Sequence, residues 1–241
     1  MKQTRVQITE RDAAVLSWLE HVRVAATDTM AAAYSYFGDS PMIKQAVSRR
    51  LVRMANAGHF GSAELQRGNN RRVYWPASSP YPTTRRELPH DLIAAHMSIM
   101  LLEATTAEFL AFNRTLSPPS REQPRKWTQD MPSTARGHRA DGLLWLPDNT
   151  AVIVEIELTA KSARKMASIL TSHTDRLADP DDPAAHVLYL TTQRVGEHVA
   201  RAWRKLGHAA DHPAAMQIIH AIDDTTLNRI TTVATIPIPA A

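Results

Sequence analysis

Residues 138–162, HRADGLLWLPDNTAVIVEIELTAKS, decide how the larger part of this chain folds. Two runs in this stretch, residues 140–146 and 151–158, have the apolar character of strands. The four residues between them, PDNT at 147–150, are turn-like in composition. The stretch therefore predicts a β-hairpin.

Two carboxylates share one face of the second predicted strand. Because side chains alternate along a strand, Glu155 and Glu157 point to the same side. A three-residue loop over 148–150 places Asp141 opposite Glu157. The same register places Leu143 opposite Glu155, so that three acids gather on one face. A two-residue loop shifts this parity and a bulge would restore it, so the sequence leaves the register open.

The three acids predict a metal site. Like charges beside a core raise each other's proton affinity unless a hard divalent cation draws them together. The expected ion is Mg²⁺ (or Mn²⁺), held by Asp141 and Glu155 with the backbone carbonyl of Ile156. Glu103, from a preceding helix, is expected to complete the site.

The third acid, Glu157, and the following Lys161 have expected catalytic roles. Glu157 or Lys161 would orient or deprotonate the attacking water. In the alternative there is no metal: Glu155 and Glu157 lie on a half-exposed strand face and form structural salt bridges. Their partners would be Lys161, Arg164 or Lys165.

Helical and strand periodicity continues on both sides of the hairpin. Apolar positions recur at helical spacing over 90–112, with His96 and Glu103 inside the apolar stripe. Residues 117–136 read as a long loop, and 231–241 as either an edge strand or a disordered tail. The remaining elements are a helix over 166–177, a strand over 186–191, a helix over 195–206 and a strand over 216–222. The predicted order is therefore α, β, β, α, β, α, β.

The beginning of the chain predicts three short helices and a second hairpin. Thr9 and Asp12 form a capping-box pattern, and Gly58 is a helix stop. The helices are predicted over 9–22, 27–36 and 40–58, and the strands over 60–65 and 71–75. A turn rich in glycine and asparagine, at 66–70, joins the strands. Three helices followed by a basic hairpin predict a winged helix-turn-helix.

The third predicted helix has two contrasting faces. The apolar face consists of Ile43, Val47, Leu51 and Met54. The opposite face carries glutamine and arginine, which can read base edges in a DNA major groove, while hairpin arginines would hold phosphates. The candidate DNA-binding residues are Lys44, Gln45, Arg49, Arg53, Arg67, Arg71 and Arg72. The alternatives are a solvated amphipathic helix and a winged helix used for dimerisation.

Charge is distributed unevenly along the 241 residues. Residues 1–80 contain 11 Lys/Arg and 6 Asp/Glu, a net charge of +5, whereas the remainder contains 17 and 18, a net charge of −1. A basic amino-terminal part is typical of a nucleic-acid-binding protein. A proline-rich stretch separates it from the rest, so we expect a domain over 1–78, a linker over 79–89 and a domain over 90–241.

Composition excludes several classes of protein. The absence of cysteine excludes disulfides, thiolate zinc sites and a cysteine nucleophile. No apolar run approaches the 18 or more residues of a membrane-spanning helix, and the amino terminus lacks the apolar stretch of a signal peptide. We therefore expect a cytoplasmic protein with no membrane partner.

The string over 138–162 resembles the signature of the replication-relaxation family of plasmid and mobile-element proteins. The opening ITERDAAVLSWL (8–19) and the stretch RRLVRMANAGHF (49–60) also resemble that family's amino-terminal domain. The resemblance implies an α+β or α/β chain in which a winged helix-turn-helix precedes a PD-(D/E)XK, restriction-endonuclease-like αβββαβ core. It also implies a role in plasmid replication, DNA relaxation or conjugative mobilisation.

The family's motif carries over residue by residue. Its aspartate falls on Asp141, its paired acids on Glu155 and Glu157, and its following lysine on Lys161. Ala140 stands where the motif has proline, and Glu157 where it has lysine. The resemblance implies a metal-dependent, relaxase-like nickase that acts on double-stranded DNA, for example at a plasmid origin. The alternative is an inactive DNA-binding accessory factor that keeps the nuclease fold as a scaffold or for homodimerisation.

Overall fold

The computed structural model describes residues 6–64, 72–79, 88–103, 125–131, 137–207, 216–222 and 230–235. The chain divides into two units, Met1–Glu103 and Ala104–Ala241. The described residues contain six helices and two sheets, so the fold class is mixed α+β. None of the described helices combines the length and the apolar character needed to cross a membrane.

Four helices and three strands form the described part of the first unit. The helices are α1 (Glu10–Val22), α2 (Thr27–Tyr36), α3 (Lys44–Asn56) and α4 (Leu88–Glu103). The strands β1 (Ala25–Ala26), β2 (Phe60–Glu64) and β3 (Arg72–Pro76) form an antiparallel sheet in the order β1-β3-β2. Three helices and the β2–β3 pair lie where the sequence predicts them, and the predicted turn over 66–70 lies outside the described residues.

The buried carboxylate of Asp12 joins three helices of the first unit. The Thr9 hydroxyl accepts a hydrogen bond from the Asp12 N–H at 3.2 Å, and Asp12 accepts one from the Thr9 N–H at 2.8 Å, as the capping-box pattern predicts. Asp12 also accepts the Tyr34 hydroxyl at 2.9 Å and Nε of Arg50 at 3.0 Å. Since Tyr34 lies on α2 and Arg50 on α3, Asp12 fixes both helices against α1.

The helix α4 belongs to the first unit, whereas the sequence assigns it to a second domain. It packs against α1, α2 and β1. The indole Nε1 of the buried Trp18 donates a hydrogen bond to Oγ of Ser98 on α4 at 2.9 Å. Buried side chains occupy more than one side of α4, so the helix needs neighbours on each of those sides. The boundary between the units therefore lies after Glu103 and not at residues 79–89.

A six-stranded mixed sheet and two helices form the described part of the second unit. The strands, in their order across the sheet, are β4 (Lys126–Thr128), β5 (Gly142–Trp145), β6 (Ala151–Glu157), β7 (Ala184–Thr191), β8 (Met216–Ile222) and β9 (Ile230–Thr235). The pairs β4–β5, β5–β6 and β8–β9 are antiparallel, whereas β6–β7 and β7–β8 are parallel. The helices α5 (Ala163–Ala178) and α6 (Gln193–Lys205) connect the parallel strands.

Two strands of this sheet differ from the sequence expectation. β4 lies within residues 117–136, which the sequence predicts to be a loop. The indole of Trp127 on β4 lies directly over Gly142, where a Cβ would be 2.1 Å from Cζ2 of the ring. A glycine is needed at this close approach. The edge strand left open for 231–241 is formed by β9.

One face of the second unit's sheet packs against α5 and α6. The core on this face includes Ile153 from β6, Met166 and Leu170 from α5, and Trp203 from α6. Because side chains alternate along β6, Glu155 lies on the same face as Ile153. The sheet therefore directs a carboxylate into an apolar core beneath α5.

Candidate functional site

The loop between β5 and β6 sets the register of the acidic residues. The N–H of Leu146 donates to the carbonyl of Thr150 at 2.9 Å, which closes a three-residue loop over 147–149. Asn149 has φ of +64°, the left-handed conformation that such a loop requires. The loop has the predicted length, but it begins one residue earlier than expected.

The observed register is shifted by two residues from the predicted one. Leu143 pairs with Ile153 and Gly142 with Val154, so the predicted pairing of Leu143 with Glu155 is wrong. The reason is that the strands pair up to Leu146 and Thr150, because the loop begins one residue earlier than predicted. Each residue of β5 therefore pairs with a residue two positions earlier in β6. A shift of two keeps the parity, so the side chains expected on the acidic face stay on that face.

Asp141 lies just before β5 and is hydrogen-bonded to β6. Its N–H donates to the carbonyl of Val154 at 3.1 Å, and its Oδ2 accepts the N–H of Ile156 at 2.7 Å. These bonds bracket Glu155, so Asp141 lies beside Glu155 and not opposite Glu157 as predicted. The two carboxylates that were expected to bind metal are therefore adjacent.

Glu155 lies between two histidines. Its Oε1 is 2.9 Å from Nε2 of His138, which precedes β5, and 3.0 Å from Nε2 of His173 on α5. Glu155 is 5% exposed and His173 is completely buried. The backbone N–H of His138 donates to Oγ of Ser172 at 2.7 Å, which ties His138 to α5. Three separate segments thus deliver three ligand-type side chains to one buried point.

Oε1 of Glu155 is within ion-pair distance of both histidines, but these contacts are not well-directed hydrogen bonds. Oε1 of Glu155, Nε2 of His138 and both ring nitrogens of His173 are buried and have no hydrogen-bond partner among the described residues. Two imidazoles therefore share one carboxylate oxygen at a buried point, where polar groups need well-made partners.

The electrostatics of the cluster keep Glu155 charged. Burial alone would raise the pKa of Glu155, but the two adjacent imidazoles outweigh burial, and the net pKa is lowered. Tyr189, its neighbour on β7, responds in the opposite direction: burial, and then the charges of Glu155 and Asp141, raise the pKa of the phenol. The Tyr189 hydroxyl also has no hydrogen-bond partner among the described residues.

Glu157 and Lys161 form an ion pair at the end of β6. Glu157 is 5% exposed, so the half-exposed strand face of the alternative interpretation is wrong, although its pairing with Lys161 is confirmed. Burial lowers the pKa of Lys161, and the charges of Glu155 and Asp141 partly oppose that shift. The structure therefore brings Asp141, Glu155, Glu157 and Lys161 together.

Glu103, the remaining predicted site residue, belongs to the first unit. It is the last residue of α4, and α4 packs there. Its expected role in completing the site of the second unit stays a prediction. Burial raises the pKa of Glu103, which needs no metal to explain it.

The ligand atoms that cluster most closely differ from the predicted ones. One atom each of His138, Glu155 and His173 lie within 4.8 Å of one another and can hold a metal ion. Asp141 is not part of this cluster, since its Oδ2 is engaged by the N–H of Ile156. Two imidazole nitrogens fit Mg²⁺ poorly, because Mg²⁺ prefers oxygen ligands, whereas Mn²⁺ and Zn²⁺ accept both donor types.

Sequence reasoning misses both histidines of the cluster. The spacing of Met166, Leu170 and His173 indicates an apolar helix stripe, in which His173 reads as one more core position. A buried histidine in such a stripe needs a partner, and that requirement is the signal present in the sequence. His138 directly precedes the strand of the motif, but nothing in its spacing joins it to α5.

The exposed face of α3 carries the candidate DNA-binding residues of the first unit. Gln45, Arg49 and Arg53 are exposed, as expected, and Lys44 forms a surface ion pair with Asp28. Val47, Leu51 and Met54 are buried on the opposite side. Ile43 is 72% exposed and does not join the apolar face, because it is the residue that precedes the helix.

The hairpin arginines are described only in part. Arg67 and Arg71 lie outside the described residues. Arg72 is half-buried on β3, and its carbonyl accepts a hydrogen bond from the Thr27 hydroxyl at 3.2 Å. Arg72 is therefore the one of these three arginines that lies within the described residues, at the start of β3.

Comparison with known proteins adds no relative. No family model matches the chain, and no curated protein or solved structure matches it. The resemblance to the replication-relaxation family therefore stays a prediction.

Proposed function

We propose that this chain is a DNA-processing protein of the replication-relaxation type. Its first unit would bind duplex DNA as a winged helix-turn-helix, and its second unit would nick a phosphodiester with the help of a divalent metal. The observation that carries the proposal is the convergence of Asp141, Glu155, Glu157 and Lys161 beside the partly exposed His138 and the buried His173.

The order of elements in the second unit supports a PD-(D/E)XK-like core. Three antiparallel strands, β4 to β6, are followed by α5 and by the parallel strand β7. This βββαβ order is the one that the expected αβββαβ core would have after its first helix. The expected leading helix is predicted over residues 90–112, and its described part, α4, belongs to the first unit.

The side chains of the cluster have complementary roles in this proposal. A bound divalent ion would supply Lewis acidity and lower the pKa of a coordinated water. Glu155 is charged and lies between the two histidines, so only small side-chain movements would let it bind the ion. Lys161 lies near Glu155 and Asp141 and supplies the positive charge that a phosphate group needs, while Glu157 holds its ammonium group in place.

The first unit supports the DNA-binding half of the proposal. The exposed side of α3 presents Gln45, Arg49 and Arg53, which are residue types that read bases and hold phosphates. The ion pair between Arg50 and the buried Asp12 fixes α3 to α1. An anchored helix can present this side to a major groove without losing its own packing.

A nicking assay tests the enzymatic half. We would incubate a pool of supercoiled plasmids carrying varied inserts with the full chain and Mn²⁺, and follow conversion to the open circle. Glu155→Gln should lower the rate at least about 100-fold, because it removes a charged ligand of the metal. The matched control is Glu197→Gln on α6, which changes an exposed glutamate. Absence of nicking across the pool, or equal rates in Glu155→Gln and wild type, would contradict the proposal.

One observation favours a second candidate function, a DNA-binding accessory factor without nuclease activity. Glu157 occupies the lysine position of the (D/E)XK motif, and Lys161 is engaged by it. In this candidate the second unit serves as a scaffold or a homodimerisation surface. Salt-sensitive DNA binding together with no nicking in any plasmid would favour the accessory factor over the nickase.

A further inference from the structure

We infer that His138, Glu155 and His173 form a binding site for one divalent transition-metal ion, such as Zn²⁺ or Mn²⁺, in preference to Mg²⁺. Binding of the ion rests on the cluster itself. Only the use of that ion in cutting DNA rests on the function proposed above.

The cluster is already assembled by the fold. Oε1 of Glu155 is 2.9 Å and 3.0 Å from the two Nε2 atoms, and the three ligand atoms lie within 4.8 Å of one another. Ligands of a tetrahedral zinc, each about 2.1 Å from the ion, are about 3.4 Å apart. Small side-chain movements would therefore admit an ion. The backbone bond from His138 to Ser172 holds the first ligand near the third.

The unpartnered atoms of the cluster indicate a missing partner. A structural histidine–glutamate pair would direct its N–H at the carboxylate, since a buried charge is stable only when it is hydrogen-bonded. Here the described residues provide no hydrogen-bond partner for Oε1 of Glu155 or for the ring nitrogens of His173. Both side chains are more than nine-tenths buried and converge on one point. A cation bound between them would satisfy these atoms together.

The donor set decides the class of ion. Imidazole suits Zn²⁺, Fe²⁺ and Ni²⁺, whereas Mg²⁺ keeps oxygen ligands and several waters. Two imidazoles and one carboxylate are a known ligand set of catalytic zinc sites, which keep a further position open. Because the chain has no cysteine, histidine is the softest strong ligand available to it.

Isothermal titration calorimetry on the metal-free full chain tests the inference. We expect one Zn²⁺ ion per chain, with a dissociation constant at least about 100-fold below that for Mg²⁺. His173→Gln and His138→Gln should each weaken Zn²⁺ binding at least about 100-fold, because each removes one of three ligands. The matched control is His198→Gln on α6, whose ring nitrogen Nε2 is also buried and without a hydrogen-bond partner. It should bind Zn²⁺ as the wild type does.

A thermal shift provides a second readout for variants that fold poorly. An ion that binds only the folded chain raises the melting temperature of wild type and of His198→Gln, and it should leave that of His138→Gln unchanged. His138 is the partly exposed ligand of the cluster, so its substitution disturbs packing least. A shift of equal size in His138→Gln and wild type would overturn the inference.

The outcomes separate this inference from the proposed function. Zn²⁺ binding that depends on the histidines, with no nicking, would support the metal site and contradict the nickase. Nicking with Mg²⁺, together with no measurable binding of Zn²⁺ or Mn²⁺, would support the nickase and overturn the metal site. Equal Zn²⁺ affinity in wild type and both histidine variants would also overturn it.

Discussion

Burial and hydrogen bonding act in opposite directions on the carboxylate of Asp12. Burial alone would raise its pKa, but the donors from Arg50, Thr9 and Tyr34 outweigh burial and hold the pKa well below its ordinary value. A carboxylate whose pKa is lower in the folded chain than in the unfolded chain stabilises the fold above its unfolded pKa, about 3.9. That contribution is lost as the pH falls further.

We expect Asp12→Asn to lower the free energy of unfolding of the first unit by about 3 kcal/mol at neutral pH, because Arg50 loses its charged partner at a buried site. Below about pH 4 the wild type should lose stability, and the variant should show a flatter pH profile. Scanning calorimetry over this pH range measures both. The control is Asp39→Asn, an exposed carboxylate of the same unit. Equal pH profiles for Asp12→Asn and wild type would refute this account.

At the same scale, the two histidines beside Glu155 are the part of the candidate site that the sequence does not predict. Asp141, Glu155, Glu157 and Lys161 can be found because one hairpin and its following turn bring them together, and local alternation predicts such proximity. His173 cannot be found in this way, because its distance from Glu155 depends on how α5 packs on the sheet. Pairing between distant segments leaves no fixed spacing in the sequence.

At the scale of elements, α3 combines an anchored side with an exposed one. Val47, Leu51 and Met54 pack inward, so the arginines on the other side need no role in stability. Exposed arginines that neutralise phosphates release counterions from DNA, which makes binding dependent on salt.

We expect Arg49→Ala and Arg53→Ala each to weaken binding to duplex DNA and to reduce the slope of log K against log salt by about 1. Fluorescence anisotropy on a labelled duplex of mixed sequence, at several salt concentrations, measures the slope. Lys126→Ala, an exposed lysine of β4 in the second unit, should leave the slope unchanged. A wild-type slope in both arginine variants would argue against DNA binding through α3.

The sequence predicts some properties of the β5–β6 hairpin and leaves others open. The turn composition predicts the hairpin and a loop of three residues, both of which are observed. The sequence leaves the start of the loop open, because both Asn149 and its neighbours tolerate turn conformations. The left-handed conformation of Asn149 fixes that start, and with it the position of Asp141 beside Glu155.

At the scale of the whole molecule, the position of α4 changes where the first unit ends. The α+β class is expected from the sequence and confirmed. The sequence does not reveal which unit α4 joins, because a helix with apolar residues on several sides packs equally well against many neighbours. The folded structure shows that α4 contacts α1, α2 and β1, and these contacts assign it to the first unit.

We expect a fragment of residues 1–103 to fold cooperatively, and a fragment of residues 1–78 to aggregate or unfold, because the shorter one lacks the apolar cover of α4 and the partner of Trp18. Circular dichroism during thermal unfolding, with gel filtration, distinguishes the two. Substituting Ser98→Ala in the longer fragment is a milder control, which should lower the melting temperature without abolishing the transition. A cooperative transition in the 1–78 fragment would contradict the assignment of α4.

The parallel pairings β6–β7 and β7–β8 also bear on the order in which the chain acquires its structure. Each parallel pair forms only after an entire helix and its connections have been brought across the sheet, and closing such long segments is slow. The first unit relies more on neighbouring helices and a hairpin, and it leaves the ribosome earlier. During synthesis, we therefore expect the first unit to fold before His173 comes together with Glu155.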